Sequence, residues 1–165
     1  MGTRLERCAL TGALLIAIGQ AASAAAPAKE GTFEGLTCYT GPVQVIAGVK
    51  GRTAGSYDIV GTPIRKDGEL GYQSSTRCVG TFLWAGEESS DNGSCVAIDP
   101  DGDLVFYVYA RKNQEPGTWK SLGGTGKYEG IDASGTNAPA VRPIRGMRPD
   151  ILQTCLRETG RWTLR

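Results

Sequence analysis

Gly123-Gly124-Thr125-Gly126-Lys127-Tyr128-Glu129-Gly130-Ile131, followed closely by Ser134-Gly135-Thr136, is the stretch whose reading decides the fold. At first sight it is a phosphate loop. A P-loop requires G-x-x-x-x-G-K-[ST], because backbone amides cradle the phosphates, the lysine neutralises them and the hydroxyl holds magnesium. Here Ser121 stands five residues before Gly126, where glycine is needed, and Tyr128 replaces the hydroxyl residue. The dinucleotide pattern G-x-G-x-x-G fails too, since Gly130 comes one residue too late after Gly124 and Gly126. The stretch reads instead as a tight turn feeding a bent strand, Lys127 to Ile131, with Lys127 as a surface charge.

The rest of the chain supports a β reading. Further strands are expected over Phe33–Tyr39, Val43–Val49, Gly55–Ile64, Arg77–Trp84, Ser94–Ile98, Leu104–Ala110, Gly117–Leu122 and Gly160–Leu164. Gly, Pro, Asp, Asn and Ser separate them, most clearly at Asp67-Gly68 and at Asp99-Pro100-Asp101-Gly102-Asp103. One short helix is expected near Asp150–Glu158, with Asp150 as N-cap and Ile151, Leu152 and Cys155 sharing a face. Short strands at regular spacing predict a sandwich or barrel. Leu104 to Ala110 is apolar on both faces. Leu104, Phe106 and Val108 are expected to fill an interior, leaving Val105, Tyr107 and Tyr109 to be covered by a terminal helix, a loop or a second subunit. A homo-oligomer is therefore one expectation. Gly31–Leu36 echoes Gly126–Ile131 and reads as a similar bend.

The beginning of the chain reads as a secretory signal over residues 1–24. Arg4 and Arg7 precede the apolar run Ala9–Ile18, and Ala22-Ser23-Ala24 (or Ala24-Ala25-Ala26) supplies the cleavage pattern. The apolar run is about half of the ~20 residues needed to span a bilayer, so no membrane anchor is expected. Residues 25–165 then form a single domain. Removing Arg4, Arg7 and Glu6 from 18 basic and 17 acidic residues leaves 16 of each. Zero net charge offers no general attraction to nucleic acid or anionic membrane, and the Arg142–Arg148 cluster reads as a solvated loop. Periplasmic or extracellular localisation follows.

Cys8 leaves with the signal. Cys38, Cys78, Cys95 and Cys155 remain, an even count that in an exported chain implies two disulfides. Zinc is disfavoured because no C-x2-C pair and no histidine occurs. Calcium at Asp99–Asp103 fails the EF-hand pattern, since glycine is fourth and Ala110 occupies the twelfth position. No metal or cofactor is expected. Without histidine, Ser/His and Cys/His mechanisms are excluded. The acidic loop containing Glu87, Glu88 and Asp91 reads as solvated. Glu34 and Glu129, each within an apolar strand, become candidate acids or bases if they point inward. Trp84, Phe106, Tyr107 and Trp119 are candidate ligand-binding residues for a small apolar molecule.

Cys78-Val79-Gly80, Gly93-Ser94-Cys95 leading into Asp99-x-Asp101-Gly102-Asp103, the glycine stretch and Gly160-Arg161-Trp162-Thr163-Leu164 together resemble exported bacterial proteins of the allene oxide cyclase-like, calycin-like β-barrel superfamily. The resemblance covers roughly Cys78 to Leu164 and implies an eight-stranded antiparallel barrel. The Asp150–Glu158 segment and the Arg/Pro-rich loop before it stand as insertions relative to that pattern. Plant members bind an unsaturated fatty-acid epoxide and cyclise it, but their catalytic residues have no position-by-position match here. The barrel also implies a pairing of Cys78 with Cys95 across a hairpin and of Cys38 with Cys155 across the barrel closure. Two functions are expected: a non-enzymatic binding or structural module for a small apolar ligand or protein partner, or a cyclase or isomerase acting on a lipid-like substrate in the cavity.

Overall fold

Every second side chain of Ser75–Ala85 is buried as far as Phe82: Thr76, Cys78, Gly80 and Phe82 turn one way while Arg77, Val79, Thr81 and Leu83 face solvent. That period of two marks an extended strand with one covered face. The computed structural model describes residues 29–113, 115–140 and 148–165. The signal read in residues 1–24 lies outside the described residues, as does most of the Arg142–Arg148 cluster.

Eight strands follow in order: β1 (Glu30–Val49), β2 (Arg52–Ile64), β3 (Ser75–Ala85), β4 (Glu88–Ile98), β5 (Leu104–Lys112), β6 (Gly117–Gly124), β7 (Asp132–Pro139) and β8 (Ile151–Thr163). Each pairs antiparallel with its sequence neighbours, and β1 pairs with β8 to close an all-β barrel. The seam runs from Glu30 opposite Thr163 to Pro42 opposite Ile151, so neither terminal strand leaves a free edge along it. Cys38 and Cys155 are register partners across that seam, and Cys78 and Cys95 are register partners across β3 and β4; both pairs are bridged. The first bridge lies on the outer face, while the second is buried in the interior. Two disulfides fit an oxidising, extracellular-type compartment. Among the described residues no helix is long and apolar enough to cross a membrane, which says nothing of strands.

Beyond Gly124 the glycine-rich stretch makes a turn, and the strand expected over Lys127 to Ile131 does not form. β6 stops at Gly124, residues Gly126–Tyr128 form a 3₁₀ turn, and the chain re-enters the sheet only at Asp132. Gly126 and Gly130 have φ of +54° and +74°, values that a continuing strand of L-residues does not take. Lys127 is also more than a surface charge. Its ammonium contacts Asp99 and, at 2.5 Å, Asp101, while its N–H donates to Asp103 Oδ2. Asp99 in turn accepts N–H groups of Asp101 and Asp103. Burial opposes the Asp99 charge, but Lys127 and those N–H groups outweigh it and hold the carboxyl below its ordinary range. Among the described residues no group of three His, Cys, Asp or Glu is placed to hold a metal ion.

Three other expectations change. Asp150–Glu158 is not helical; Ile151 onward is β8, with Leu152, Thr154, Leu156 and Glu158 turned inward and Cys155 outward. Nine residues of weak helical pattern are overridden by thirteen residues of seam pairing. Asp132–Pro139, not read as a strand, is β7. Finally, the faces of β5 are reversed. Val105, Tyr107 and Tyr109 point inward, and Phe106 is 41% exposed on the outer face. A one-residue shift of phase moves every side chain of a strand to the other face.

Candidate functional site

Two rows of register partners cross the inner wall, and both read aromatic–Gly–Gly–aromatic. Tyr57, Gly80, Gly93 and Tyr109 lie side by side on β2 to β5. Phe33, Gly160, Gly135 and Trp119 lie side by side on β1, β8, β7 and β6. A Cβ on Gly80 would meet Tyr57 Cζ and Oη at 2.6 Å, and one on Gly160 would meet Phe33 Cε1 and Cζ at 2.8 Å. Carbon contacts settle near ~3.5–4.0 Å, so these rings occupy space that only glycine leaves free. Phe33 and Trp119 stack with centroids 5.8 Å apart over their glycines.

With the rings laid against the wall, the interior is hollow. The two rows meet where Tyr109 pairs with Trp119, and the aromatic residues of both line a cavity of about 290 Å³, at the small end of the ~300–1,000 Å³ range of small-molecule sites. Its wall is mostly apolar, including Val43, Ile59, Phe82, Leu156 and the Cys78–Cys95 bridge. One end is plugged by the cluster of Phe33, Ile131, Ala133 and Trp162, against which Leu70 and Tyr128 pack. Among the described residues the other end, bearing the β1–β2 and β3–β4 turns, is open. Val45 and Trp84 line it and are 58% and 52% exposed.

Each end carries a polar group of residues. Near the mouth, Tyr57 donates its hydroxyl to Asp91 Oδ1 at 2.5 Å and meets Tyr109 Oη, while Arg111 Nη2 donates to Asp91 Oδ2 at 2.8 Å. Deeper in, Arg65 Nη2 pairs with Glu158 Oε2 at 2.5 Å, and their side chains are only 3% and 14% exposed. Thr37 Oγ1 donates to the same oxygen at 2.6 Å and Tyr39 Oη to Glu158 Oε1 at 3.3 Å. The Arg65 guanidinium also lies 4.7 Å over the Phe33 ring. Desolvation first, and then neighbouring charge, keeps the phenols protonated. Burial and Asp91 push Tyr57 far above its ordinary value of 10.0. Burial, Tyr107 and Glu158 do the same to Tyr39. Tyr107 and Tyr109 are raised mainly by burial, and Tyr128, by burial and then Asp99, is pushed up to about 12.

Chemically the site offers an apolar channel with neutral phenols and two charge-matched arginine–carboxylate pairs. A buried ion pair contributes little net stability, so these pairs matter chiefly for where they place donors and acceptors. Of the residues singled out from sequence, Trp84, Tyr107 and Trp119 line the cavity, with Trp84 at its mouth. Phe106 does not, because it points outward. Glu34 is on the outer face, 3.2 Å from Arg157, and Glu129 is exposed beside the 3₁₀ turn. Sequence reasoning missed Arg65, Glu158, Asp91 and Arg111. Asp91 belongs to β4, where the acidic loop was expected, and its inward phase with Gly93 and Cys95 was the available signal.

The sequence matches no protein-family model and no curated protein. Among solved structures the chain is similar to the pterocarpan synthase dirigent protein GePTS1, with a TM-score of 0.50 and 11% identity over 83% of this chain and 93% of that one. That likeness shows a shared barrel fold.

Proposed function

We propose that this chain is an exported, disulfide-bonded barrel that holds one small, mostly apolar molecule in its cavity, acting as a binding module. The observation that carries the reading is the hollow interior. Glycine rows hold the aromatic rings back against the wall, leaving a space closed at one end. An eight-stranded barrel is either filled by side chains or holds one small ligand. The resemblance to allene oxide cyclase-like barrels is compatible with such a use. A cyclase or isomerase on a lipid-like substrate remains the second reading, and the Tyr57–Asp91 hydrogen bond at the mouth favours it as a proton-relay geometry. It ranks second because, among the described residues, each carboxylate lining the cavity already faces a cation: Asp91 meets Arg111, Glu158 meets Arg65 and Asp99 meets Lys127.

The test is a titration of the disulfide-intact protein with the neutral fluorophore N-phenyl-1-naphthylamine, together with native mass spectrometry of the protein as isolated. One saturable site, competed by extracted small molecules, is the expected result. Absence of saturable binding and of any adduct refutes the binding reading. Recovery of a loaded lipid epoxide as a rearranged product replaces it with the enzymatic one.

A further inference from the structure

The two hairpin turns at the open end form one projection. Gly86 N–H donates to Gly51 O at 3.0 Å, which ties the β3–β4 turn to the β1–β2 turn. Among the described residues, β1 runs on to Val49 beyond Pro42, its last partner on β8, so the β1–β2 hairpin stands clear of β8. This projection is apolar on both faces. Val45 and Trp84 line the mouth, Leu83 faces outward beside Trp84, and Ile46 and Val49 are 72% and 70% exposed. Solvent-facing strand positions are normally polar, and a contiguous exposed apolar patch marks a contact with protein or membrane. Register places Gly55 between Val45 and Phe82, and Thr53 between Gly48 and Trp84. Phe82 is buried in the cavity wall and packs on Trp84 with ring centroids 4.8 Å apart. Apolar surface therefore runs from the cavity wall out onto the tip.

We propose that this tip docks on the surface of a phospholipid bilayer, and that the cavity exchanges its apolar ligand there. The inference rests on the cavity-binding reading above and adds the phase from which the ligand comes. A mostly apolar molecule partitions into an apolar phase rather than water, and a mouth rimmed by apolar side chains lets it pass from one to the other. The charges select the kind of surface. Lys50 and Arg52 at the first turn are matched by Glu87 and Glu88 at the second, and Lys112 by Glu115 on the β5–β6 turn. The tip thus has no net charge with which to attract an anionic surface or a charged protein. Docking is driven by insertion of the apolar side chains, and Trp84 is of the residue type that settles between headgroups and hydrocarbon. Other exposed apolar residues, such as Ile64, Ile98 and Leu122, lie toward the closed end, away from the mouth.

The test is flotation of the disulfide-intact protein with phosphatidylcholine vesicles, with no cavity ligand added. Binding is expected, and it should not weaken as salt is raised. Vesicles of brominated phosphatidylcholine should quench tryptophan emission. Trp84→Phe should abolish that quenching while flotation persists, because Trp119 and Trp162 belong to the closed end. Ile46→Ser combined with Val49→Ser should weaken vesicle binding about tenfold or more. Leu122→Ser, which removes another exposed apolar side chain far from the tip, should leave it unchanged. All these variants should still bind N-phenyl-1-naphthylamine, which separates loss of docking from loss of the cavity. Absence of flotation by protein that binds the fluorophore overturns the docking surface and leaves the binding reading standing. Flotation that needs phosphatidylglycerol and vanishes in high salt overturns apolar insertion. Self-association without flotation, abolished by the Ile46→Ser and Val49→Ser pair, replaces the bilayer with a second copy of this chain. Absence of fluorophore binding overturns ligand exchange at the tip, whatever flotation shows.

Discussion

Gly80→Ala adds one methyl group to the inner wall of β3, and the first atoms it meets are the Tyr109 hydroxyl and, at 2.6 Å, Cζ and Oη of Tyr57. Carbon contacts settle near ~3.5–4.0 Å, so the Tyr57 ring must retreat by about 1 Å. A retreat of that size breaks the 2.5 Å hydrogen bond from Tyr57 to Asp91. Overpacking costs ~1–3 kcal/mol, and a hydrogen bond to a charged acceptor is worth ~1.5–3 kcal/mol. Asp91 and Arg111 keep 20% and 25% of their side chains exposed, so water relieves part of the loss. The expected total is about 3 kcal/mol. Urea unfolding of the oxidised protein should show a lower midpoint at unchanged slope. Combining Gly80→Ala with Tyr57→Val removes one of the two rings that the methyl strikes and leaves the Tyr109 hydroxyl free to swing into the vacated space, so the double variant should be less destabilised than the sum of the singles by at least ~1 kcal/mol. A cost below ~0.5 kcal/mol for the single variant, or additivity within that margin, would refute the view that the glycine exists to seat the ring.

Alkaline solution should unfold the protein through its buried phenols. Tyr39, Tyr57, Tyr107 and Tyr109 are all raised. Unfolded tyrosine releases its proton near pH ~10, so above that pH the folded state binds more protons and stability falls by about 1.4 kcal/mol per unit for each such group. Tyrosinate absorbance from these residues should appear together with unfolding; its appearance in a still-folded barrel contradicts the argument. Replacing Cys38 and Cys155 with alanine opens a loop of sequence separation 117, worth ~4–5 kcal/mol on chain entropy, against ~3 kcal/mol for the separation of 17 between Cys78 and Cys95. Comparative urea melts that rank the two pairs the other way reject that entropy account. Lys127→Met strands Asp99, whose side chain is 3% exposed, and should cost ~1–2 kcal/mol at neutral pH. Because Asp99 is held below its ordinary range, its contribution is present above pH ~4 and lost as the pH falls through the lowered folded value. A Lys127→Met penalty that persists undiminished in acid argues against the ion pair as its source.

The strands were legible because they carry β-rich runs between glycine and aspartate turns, and β3 and β5 need no tertiary information to be called extended; that pattern left sandwich and barrel both open, and the barrel was what the family resemblance implied. β7 was not legible: Asp-Ala-Ser-Gly-Thr-Asn-Ala-Pro contains one β-branched residue, and its extended state comes from pairing with β6 and β8. β5 was found but faced the wrong way, since apolar residues on both sides give no phase. Only the partners fix it, through Gly93 opposite Tyr109 and Cys95 opposite Tyr107. The site was least visible for the same reason. Arg65 and Glu158 are 93 residues apart, and nothing local in either announces the other. Of the four glycines of the two rows, Gly80 and Gly160 were read inside strands and Gly93 and Gly135 outside them, and only the register places all four between aromatic rings.

The Cys38–Cys155 bond converts the open chain into a covalent ring that includes every residue from 38 to 155. A single backbone cut anywhere within that ring opens it but liberates no fragment. Arg145-Gly146, a bond of the kind trypsin-like proteases attack, falls inside. Cleaved there, the molecule becomes two polypeptides joined by sulfur, with β8 still tethered to β1. After a single nick, separating β8 from β1 also takes a reduction, which an oxidising compartment does not supply.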